Sequence, residues 1–392
     1  MSVRSFDITL YGATGFVGRQ AAAYLQQHAR HLRWALAGRS EARLQALRDS
    51  IAATEAGVLV ADAQDSAALD ELARRSRVVL STAGPFALAG SALVAACVRH
   101  GTHYVDITGE TPWVRQMIDQ HHTAAQRTRA CIVPGCGFDS VPSDLGSWLV
   151  VQALRERFDE ACTHVKACFT LRGGLNGGTL ASLLNAMESG QQALMADPFL
   201  LNPAGSVPAD AAPHADPIAP HRDADFGAWL APFVMGPINT RVVRRSAALL
   251  GYGPQFVYQE YLRVGRGAAA AASAAGLSWA LLAGQGALRL KPVRRLAAAW
   301  APAPGEGPSV ARMDGGWFRC ELHATGERGS VVRGCISGPG DPGNRATTRM
   351  VCEAALLLAT QGAEQGGVLT PATALGAAYA DRLRAAGMTV EP

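Results

Sequence analysis

The first 140 residues alternate short apolar runs with helical patterns, and this alternation restricts the fold more than any other feature of the chain. Apolar runs at Phe6 to Tyr11, Leu32 to Ala37, Val58 to Ala61, Val78 to Thr82, Tyr104 to Thr108 and Ala130 to Val133 read as six strands. Helical patterns lie between them at Gly15 to Gln26, Glu41 to Ala52, Ser66 to Arg75 and Gly90 to His100, the last closed by Gly101. Thr111 and Pro112 supply the N-cap and the first-turn proline of a further helix. Mainly apolar strands, separated by helices of this length, predict an α/β fold with a doubly wound parallel sheet buried on both faces.

The first strand–helix junction carries three glycines, in Gly12-Ala13-Thr14-Gly15-Phe16-Val17-Gly18. A helix N-terminus offers unpaired N–H groups and the positive end of the helix dipole, and glycine lets a pyrophosphate approach the backbone. The spacing is G-x-x-G-x-x-G rather than G-x-G-x-x-G, so the reading rests on the strand–turn–helix context. On that context Gly12, Thr14, Gly15, Phe16, Val17 and Gly18 are candidates to hold a dinucleotide; the alternative is a tight turn that binds nothing. At the end of the second strand an NAD site wants a carboxylate for the ribose 2′-OH, but the chain has Gly38-Arg39-Ser40. A guanidinium there can pair with a 2′-phosphate and Ser40 can add a hydrogen bond, so the expected cofactor is NADP(H). The competing reading makes Arg39 a solvated arginine at the start of a helix. Asp62, ending the third strand, is placed to meet the adenine. Ala83, Gly84, Pro85 and Phe86, ending the fourth, would run beside the middle of the cofactor.

The pattern changes after about Trp148. "HVKACFTL", "QFVYQEYLRV", "WFRCELHATG" and "GSVVRGCISG" are strand-like, the last two joined by the turn-like "ERG", and they predict a second, largely antiparallel α+β domain. Two Pro-rich excursions interrupt it. The longer, from Asp197 to Asp225, has the length of a lid or of a disordered surface loop. Helical patterns return at Ala346 to Ala359 and Pro371 to Ala386. The uncharged stretch Gly267 to Leu288 is long enough to span a bilayer, but its alanines, glycines and glutamine dilute it, so a buried or interfacial helix is expected, with peripheral membrane contact open.

A net charge of +4 over 392 residues, with no block of like charges, gives no electrostatic footprint for nucleic acid. Eight cysteines occur without a Cys-x-x-Cys, and no histidine stands at zinc-ligand spacing from Cys131 and Cys136, so no metal site is expected. Buried thiols in a reducing cytoplasm are the plain reading, and the N-terminus carries no signal-peptide pattern.

"YGATGFVG", "LAGRS", "STAGPFALAGSALVAACVRHGTHYVDITGE" and "PGCGFDSVPSDLG" resemble the saccharopine-dehydrogenase-like oxidoreductases, in particular their trans-acting enoyl reductase branch. So do "LRGGLNGGTLAS", "PGEGPS", "GWFRCELHATG", "TTRMVCEAALLLA" and "GGVLTPATALG", and the likeness covers nearly the whole chain. It departs at Gly340-Asp341-Pro342-Gly343-Asn344, where the family pattern usually continues with tyrosine. The resemblance implies a Rossmann domain over residues 1–147, completed by C-terminal helices in 346–392, with a β-rich domain over 148–345 that covers the cofactor and mediates homodimerisation. It also implies an NADPH-dependent oxidoreductase that saturates carbon–carbon double bonds in hydrophobic acyl or polyketide-type intermediates, free or carrier-bound. The alternatives are an NADP-binding sensor or scaffold without turnover, and a saccharopine-reductase-like enzyme acting on a C=N bond, although no cluster of basic residues for a polycarboxylate stands out in the second domain.

Enoyl reduction would need a donor at the carbonyl oxygen and a proton source. The loop after the sixth strand lies at the cofactor end of the sheet, and Asp139 or Ser140 could orient the carboxamide or the substrate. Ser143 and Asp144 read as caps of the next helix. Glu110 faces the same cleft or begins a capped helix, and Thr179 lies in a glycine-rich turn. His121 and His122 read as solvated and His323 as core or cleft. Tyr258 and Tyr261 should face opposite sides of one strand, with only one pointing inward.

Overall fold

The computed structural model describes residues 4–173, 190, 192–288, 290–300 and 306–392. Six strands lie in the first 133 residues: Phe6–Tyr11 (β1), Trp34–Gly38 (β2), Gly57–Val60 (β3), Ser76–Ser81 (β4), His103–Asp106 (β5) and Cys131–Val133 (β6). Among the described residues these are followed by Cys162–Arg172 (β7), His221–Asp223 (β8), Ala228–Pro232 (β9), Val257–Gly265 (β10), Trp317–Gly326 (β11), Val331–Pro339 (β12), Gly367–Val368 (β13) and Thr389–Glu391 (β14).

One sheet is parallel throughout, in the order β13-β6-β5-β4-β1-β2-β3. The chain winds outward from β1 in both directions, so the crevice beyond the ends of β1 and β4 is the topological switch point where ligands bind. Both faces are covered. Ile8, Leu10, Val78 and Leu80 pack into one core with helices Phe16–His28 and Thr347–Gln361, while Tyr11, Val79 and Tyr104 pack into the other with helices Ser66–Arg75, Ser91–His100 and Thr111–Thr128. Burial on both faces is why β2 and most of β4 are continuous apolar runs.

β13 escapes the sequence because two residues carry no periodicity. It arrives from the far end of the chain and pairs with β6. Val368 donates its N–H to Nδ1 of His122 at 3.2 Å, and its carbonyl accepts from Arg245 at 2.8 Å. His122 therefore fastens an edge strand and is not merely solvated.

The second sheet runs β14-β12-β11-β7-β10-β9-β8 and is antiparallel except where β7 and β10 pair. Helix Val141–Phe158 packs on β11 and β12, and the Phe138 ring meets Phe169 and Phe318 edge-on at 5.8 and 5.1 Å, so the two sheets share one core. After residue 346 the chain serves both sheets, since β13 joins the first and β14 the second.

The long Pro-rich excursion is neither a lid nor a disordered loop where it begins. Helix Gly236–Leu250 carries three buried arginines. Arg241 donates to the carbonyls of Met195 (2.9 Å) and Asp197 (3.1 Å), Arg244 to that of Pro198 (3.0 Å) and Arg245 to that of Leu201 (2.6 Å). Leu200 and Leu201 are buried against Val242. Backbone carbonyls without a regular partner are costly to bury, and here the guanidinium forks satisfy them.

Tyr258 and Tyr261 do face opposite sides of β10, but both are buried. Tyr258 joins the main core, and Tyr261 lies with Cys168, Ala228 and Leu230 on the other face, where helix Gly267–Ala287 packs on β9 and β10. That helix is not buried as a whole: its packed residues include Ala270, Ala274 and Ser278, while Leu277, Trp279 and Leu282 are exposed. Thr179 lies outside the described residues.

Candidate cofactor and catalytic site

The loop after β1 is held from two sides. The N–H groups of Gly12 and Ala13 donate to the carbonyl of Ala37 at 3.0 and 3.2 Å, and the Thr82 hydroxyl donates to the carbonyl of Gly12 at 3.1 Å. Gly12 has φ +80°, and a Cβ there would stand 2.9 Å from the backbone nitrogen of Ala83. At Gly18 a Cβ would stand 2.2 Å from the Gly12 carbonyl oxygen, so only glycine lets the helix pack against the turn. Gly15 is the N-cap of helix Phe16–His28 and no side chain caps that end. Its first amides are thus open to an anion. Thr14 and Phe16 are half-buried on the loop, whereas Val17 turns into the core.

Arg39 is exposed at the end of β2 and, among the described residues, makes no hydrogen bond or ion pair. It lines an open groove with Asp62, Gln64, Asp65 and Ser66. Asp62 accepts from the N–H of Gln64 (2.9 Å), Asp65 caps helix Ser66–Arg75 through Ala68 (3.0 Å), and Ser40 caps helix Glu41–Ser50 through Arg43 (3.4 Å). The arginine is left as the unengaged cation of the groove, the state a 2′-phosphate requires. Burial, with Asp62 adding to it, pushes the Tyr11 phenol up to about 12.

Beyond β4 the chain passes Ala83 and a cis Gly84–Pro85 peptide into the short helix Phe86–Ala89. The Phe86 ring does not face the crevice; it is buried, tilted on Trp113 at 5.7 Å. Ala83, Gly84 and Pro85 run from the glycine loop, where a Cβ on Gly12 would stand 2.9 Å from Ala83, to that short helix. Their position is set by Glu110, whose two carboxylate oxygens accept from the N–H groups of Phe86 (2.8 Å) and Ala87 (2.9 Å). Glu110 thus caps a helix that precedes it in sequence, a role without a local signature. Asp106 does similar work at the end of β5. It accepts from the N–H groups of Thr108 (3.0 Å) and Gly135 (2.9 Å) and from the Tyr104 hydroxyl (2.8 Å), and burial pushes it up to about 7.

The loop after β6 carries Asp139 and Ser140. The N–H of Phe138 donates to the Thr347 hydroxyl at 3.0 Å, which ties this loop to the C-terminal helix. Asp139 is half-buried and, among the described residues, has no hydrogen-bond partner; burial pushes its carboxyl up to about 6. A Cβ placed on Gly109 would be 3.5 Å from Oδ2 of Asp139 and 3.1 Å from Ile238, so Gly109 lies between the two side chains. Ile238 comes from helix Gly236–Leu250 and lines a small cavity with Thr108, Gly109 and Ser140. Ser140 is buried; among the described residues its hydroxyl has no partner, and it lines the same small cavity with Thr108, Leu201, Arg245 and Thr370. Asp144 is a cap, but not of its own helix: it accepts from the N–H of Ala372 (2.8 Å) at the start of helix Pro371–Ala385 and from the Ser246 hydroxyl. Ser143 donates to Glu260 at 2.8 Å. His323 is buried on the outer face of the second sheet, 3.6 Å from Asp225.

Loop, crevice and free arginine suit a dinucleotide phosphate, and residues 8–133 match the family described as saccharopine dehydrogenase NADP binding domain. The molecule is an NADP-binding, NADP-dependent oxidoreductase with a Rossmann-type fold. Over 99% of its length it is 38% identical to the trans-acting enoyl reductase of Mycobacterium ulcerans and 36% identical to that of Mycobacterium leprae, each covered to 97%. The chain belongs to the saccharopine dehydrogenase-like oxidoreductases, in the trans-acting enoyl reductase branch. Apo saccharopine dehydrogenase (L-Glu forming) of Saccharomyces cerevisiae shares the fold, with a TM-score of 0.55 over 98% of both chains at 13% identity.

Proposed function

We propose that this enzyme reduces the carbon–carbon double bond of a hydrophobic enoyl intermediate of polyketide or fatty-acyl type, with Asp139 as the proton donor. NADPH, when bound, supplies the hydride, which adds to the β-carbon. The protein's task is to hold the enoyl group beyond β4 to β6 and to deliver a proton to the α-carbon. The observation that carries the reading is the Asp139 carboxyl, without a hydrogen-bond partner among the described residues, with Gly109 between it and Ile238. A carboxyl pushed up to about 6 is protonated in roughly a tenth of molecules at pH 7, enough to act as an acid and be reloaded from solvent. Glu110 and Asp106 hold the neighbouring loops still while Asp139 keeps its carboxyl free. The names of the relatives support the enoyl substrate class.

A polycarboxylate substrate with a C=N bond fits less well. The Arg241, Arg244 and Arg245 cluster is buried, and its terminal guanidinium nitrogens are bonded to backbone carbonyls and Asp216; among the described residues only the buried Nε–H groups of Arg244 and Arg245 lack a partner, too few for a polycarboxylate. The test is loss of NADPH absorbance with purified enzyme and 2-enoyl thioesters of increasing chain length, beside imine substrates. Oxidation that depends on the enoyl thioester and improves with chain length is expected. Turnover of imines alone would overturn the substrate class.

A further inference from the structure

We infer that helices Gly267–Ala287 and Lys291–Trp300 form a docking surface for an anionic phospholipid bilayer, on which the protein lies without crossing it. This goes beyond the reductase reading and does not depend on it. The first helix is seated on the second sheet by a stripe one residue wide, Ala270, Ala274 and Ser278, at successive intervals of four. The outward side is apolar: Trp279 is 73% exposed, Leu282 47% and Leu277 41%, and Leu290 and Leu296 continue the series at 58% and 60%. A helix facing water would carry polar residues here. Trp279 is the residue type that settles at a lipid–water boundary.

Charge decides the occupant. Between Glu260 and Glu306 the sequence holds no acidic residue and six basic ones: Arg263, Arg266, Arg289, Lys291, Arg294 and Arg295. Arg263 pairs with Glu321. Lys291, Arg294 and Arg295 recur at the spacing of one helix face, at the start of the second helix. An apolar face bordered by basic residues matches the acyl boundary and the negative headgroups of an anionic leaflet. A second copy of the same surface would bring basic residues against basic residues with no acid to meet them.

Topology argues against a span. Helix Gly267–Ala287 leaves the sheet at β10, and the chain returns to it at β11, both of which flank β7. The two ends of the excursion therefore lie on the same side of any membrane. One crossing would need a second to return, and the ten residues of Lys291–Trp300 span only about 15 Å, half the hydrocarbon thickness. Gly307, seven residues beyond the second helix, lies at the glycine loop: a Cβ there would stand 2.5 Å from the ring of Phe16. Docking through this surface would hold the crevice near the layer where apolar acyl chains reside.

The test is sedimentation of the full-length protein with vesicles of phosphatidylcholine alone and of phosphatidylcholine mixed with phosphatidylglycerol, without cofactor or substrate. Binding to the mixed vesicles that weakens with salt is expected. The double variant Lys291→Glu/Arg295→Glu should bind at least about tenfold more weakly. Trp279→Glu/Leu282→Glu should not bind, with NADPH affinity unchanged in both variants as the measure of an intact fold. Absence of wild-type binding to the mixed vesicles would overturn the inference. So would a drop from dimer to monomer in Trp279→Glu/Leu282→Glu by sedimentation equilibrium, which would assign the face to a second copy of the chain. Either failure leaves the enoyl assay untouched.

Discussion

Glu110 follows β5 and Asp139 follows β6, so two carboxylates stand on neighbouring loops at the same edge of the parallel sheet. Both are followed within two residues by a helix, and either could cap it. Glu110 instead gives one oxygen to each of two backbone amides of another loop, whereas Asp139 accepts no hydrogen bond from the described residues and holds its proton to about pH 6. The difference teaches that residue type and position at the end of a strand do not separate scaffold from chemistry. Partners do: a carboxylate with both oxygens committed fixes a loop, and one left unpaired in a half-buried crevice is available to a substrate.

The comparison can be broken most directly at Asp139. Asp139→Asn should lower turnover by about 10²–10⁴-fold with little change in stability, because no hydrogen bond is lost. In the wild type the protonated form is the active one, so kcat/KM should fall as pH rises through about 6. A variant that keeps the wild-type rate would remove Asp139 as the donor. Glu110→Ala should do the reverse. One buried and one part-buried amide lose their acceptor, at a cost of about 1–3 kcal/mol in denaturant unfolding, and cofactor affinity should weaken with the loosened Ala83–Pro85 loop. If stability holds, Glu110 does not fasten the loop before helix Phe86–Ala89.

A sharper and smaller effect belongs to the other unengaged side chain, Arg39. Arg39→Ala should weaken NADPH binding by more than about tenfold, on the order of 1.5–3 kcal/mol, and leave NADH unchanged in a fluorescence titration. Equal losses for both nucleotides would detach Arg39 from the 2′-phosphate. The smallest effect concerns a carboxyl that is buried and fully partnered. Glu260 accepts from Ser143, Tyr258 and Asn239, each at 2.8 Å, and burial raises it from 4.5 to about 7. The folded state holds this proton where the unfolded state has released it. The contribution is therefore complete below about pH 4.5 and lost as pH rises through 7. Glu260→Gln should flatten part of the decline in stability over that range, leaving the parts due to Asp106 and Asp144, both also raised to about 7. An unchanged slope would mean that Glu260 is ionised in the folded protein.

Much of the first sheet was legible because each of its first six strands carries its own apolar run and each helix its own period. The cofactor loop was legible for the same reason: Gly12 and Gly18 act on neighbours within six residues or on the adjacent strand. Phe86 was misplaced because four residues of sequence cannot say that its ring turns toward Trp113. His122 was misread because its partner, Val368, lies 246 residues away. The Pro-rich stretch read as a loose loop because its carbonyls are satisfied by arginines some forty residues further on.

By itself the sequence determined the class of fold and the glycine turn and carried the family motifs of an NADP-binding domain, since these depend on periodicity, backbone freedom and short runs of neighbouring residues. Only the tertiary structure decided which carboxylate is free, which arginines are spent, and that an apolar helix lies half outside the molecule. Those outcomes depend on hydrogen bonds and contacts between residues far apart in the chain, and a buried polar group is defined by the partner that folding brings to it.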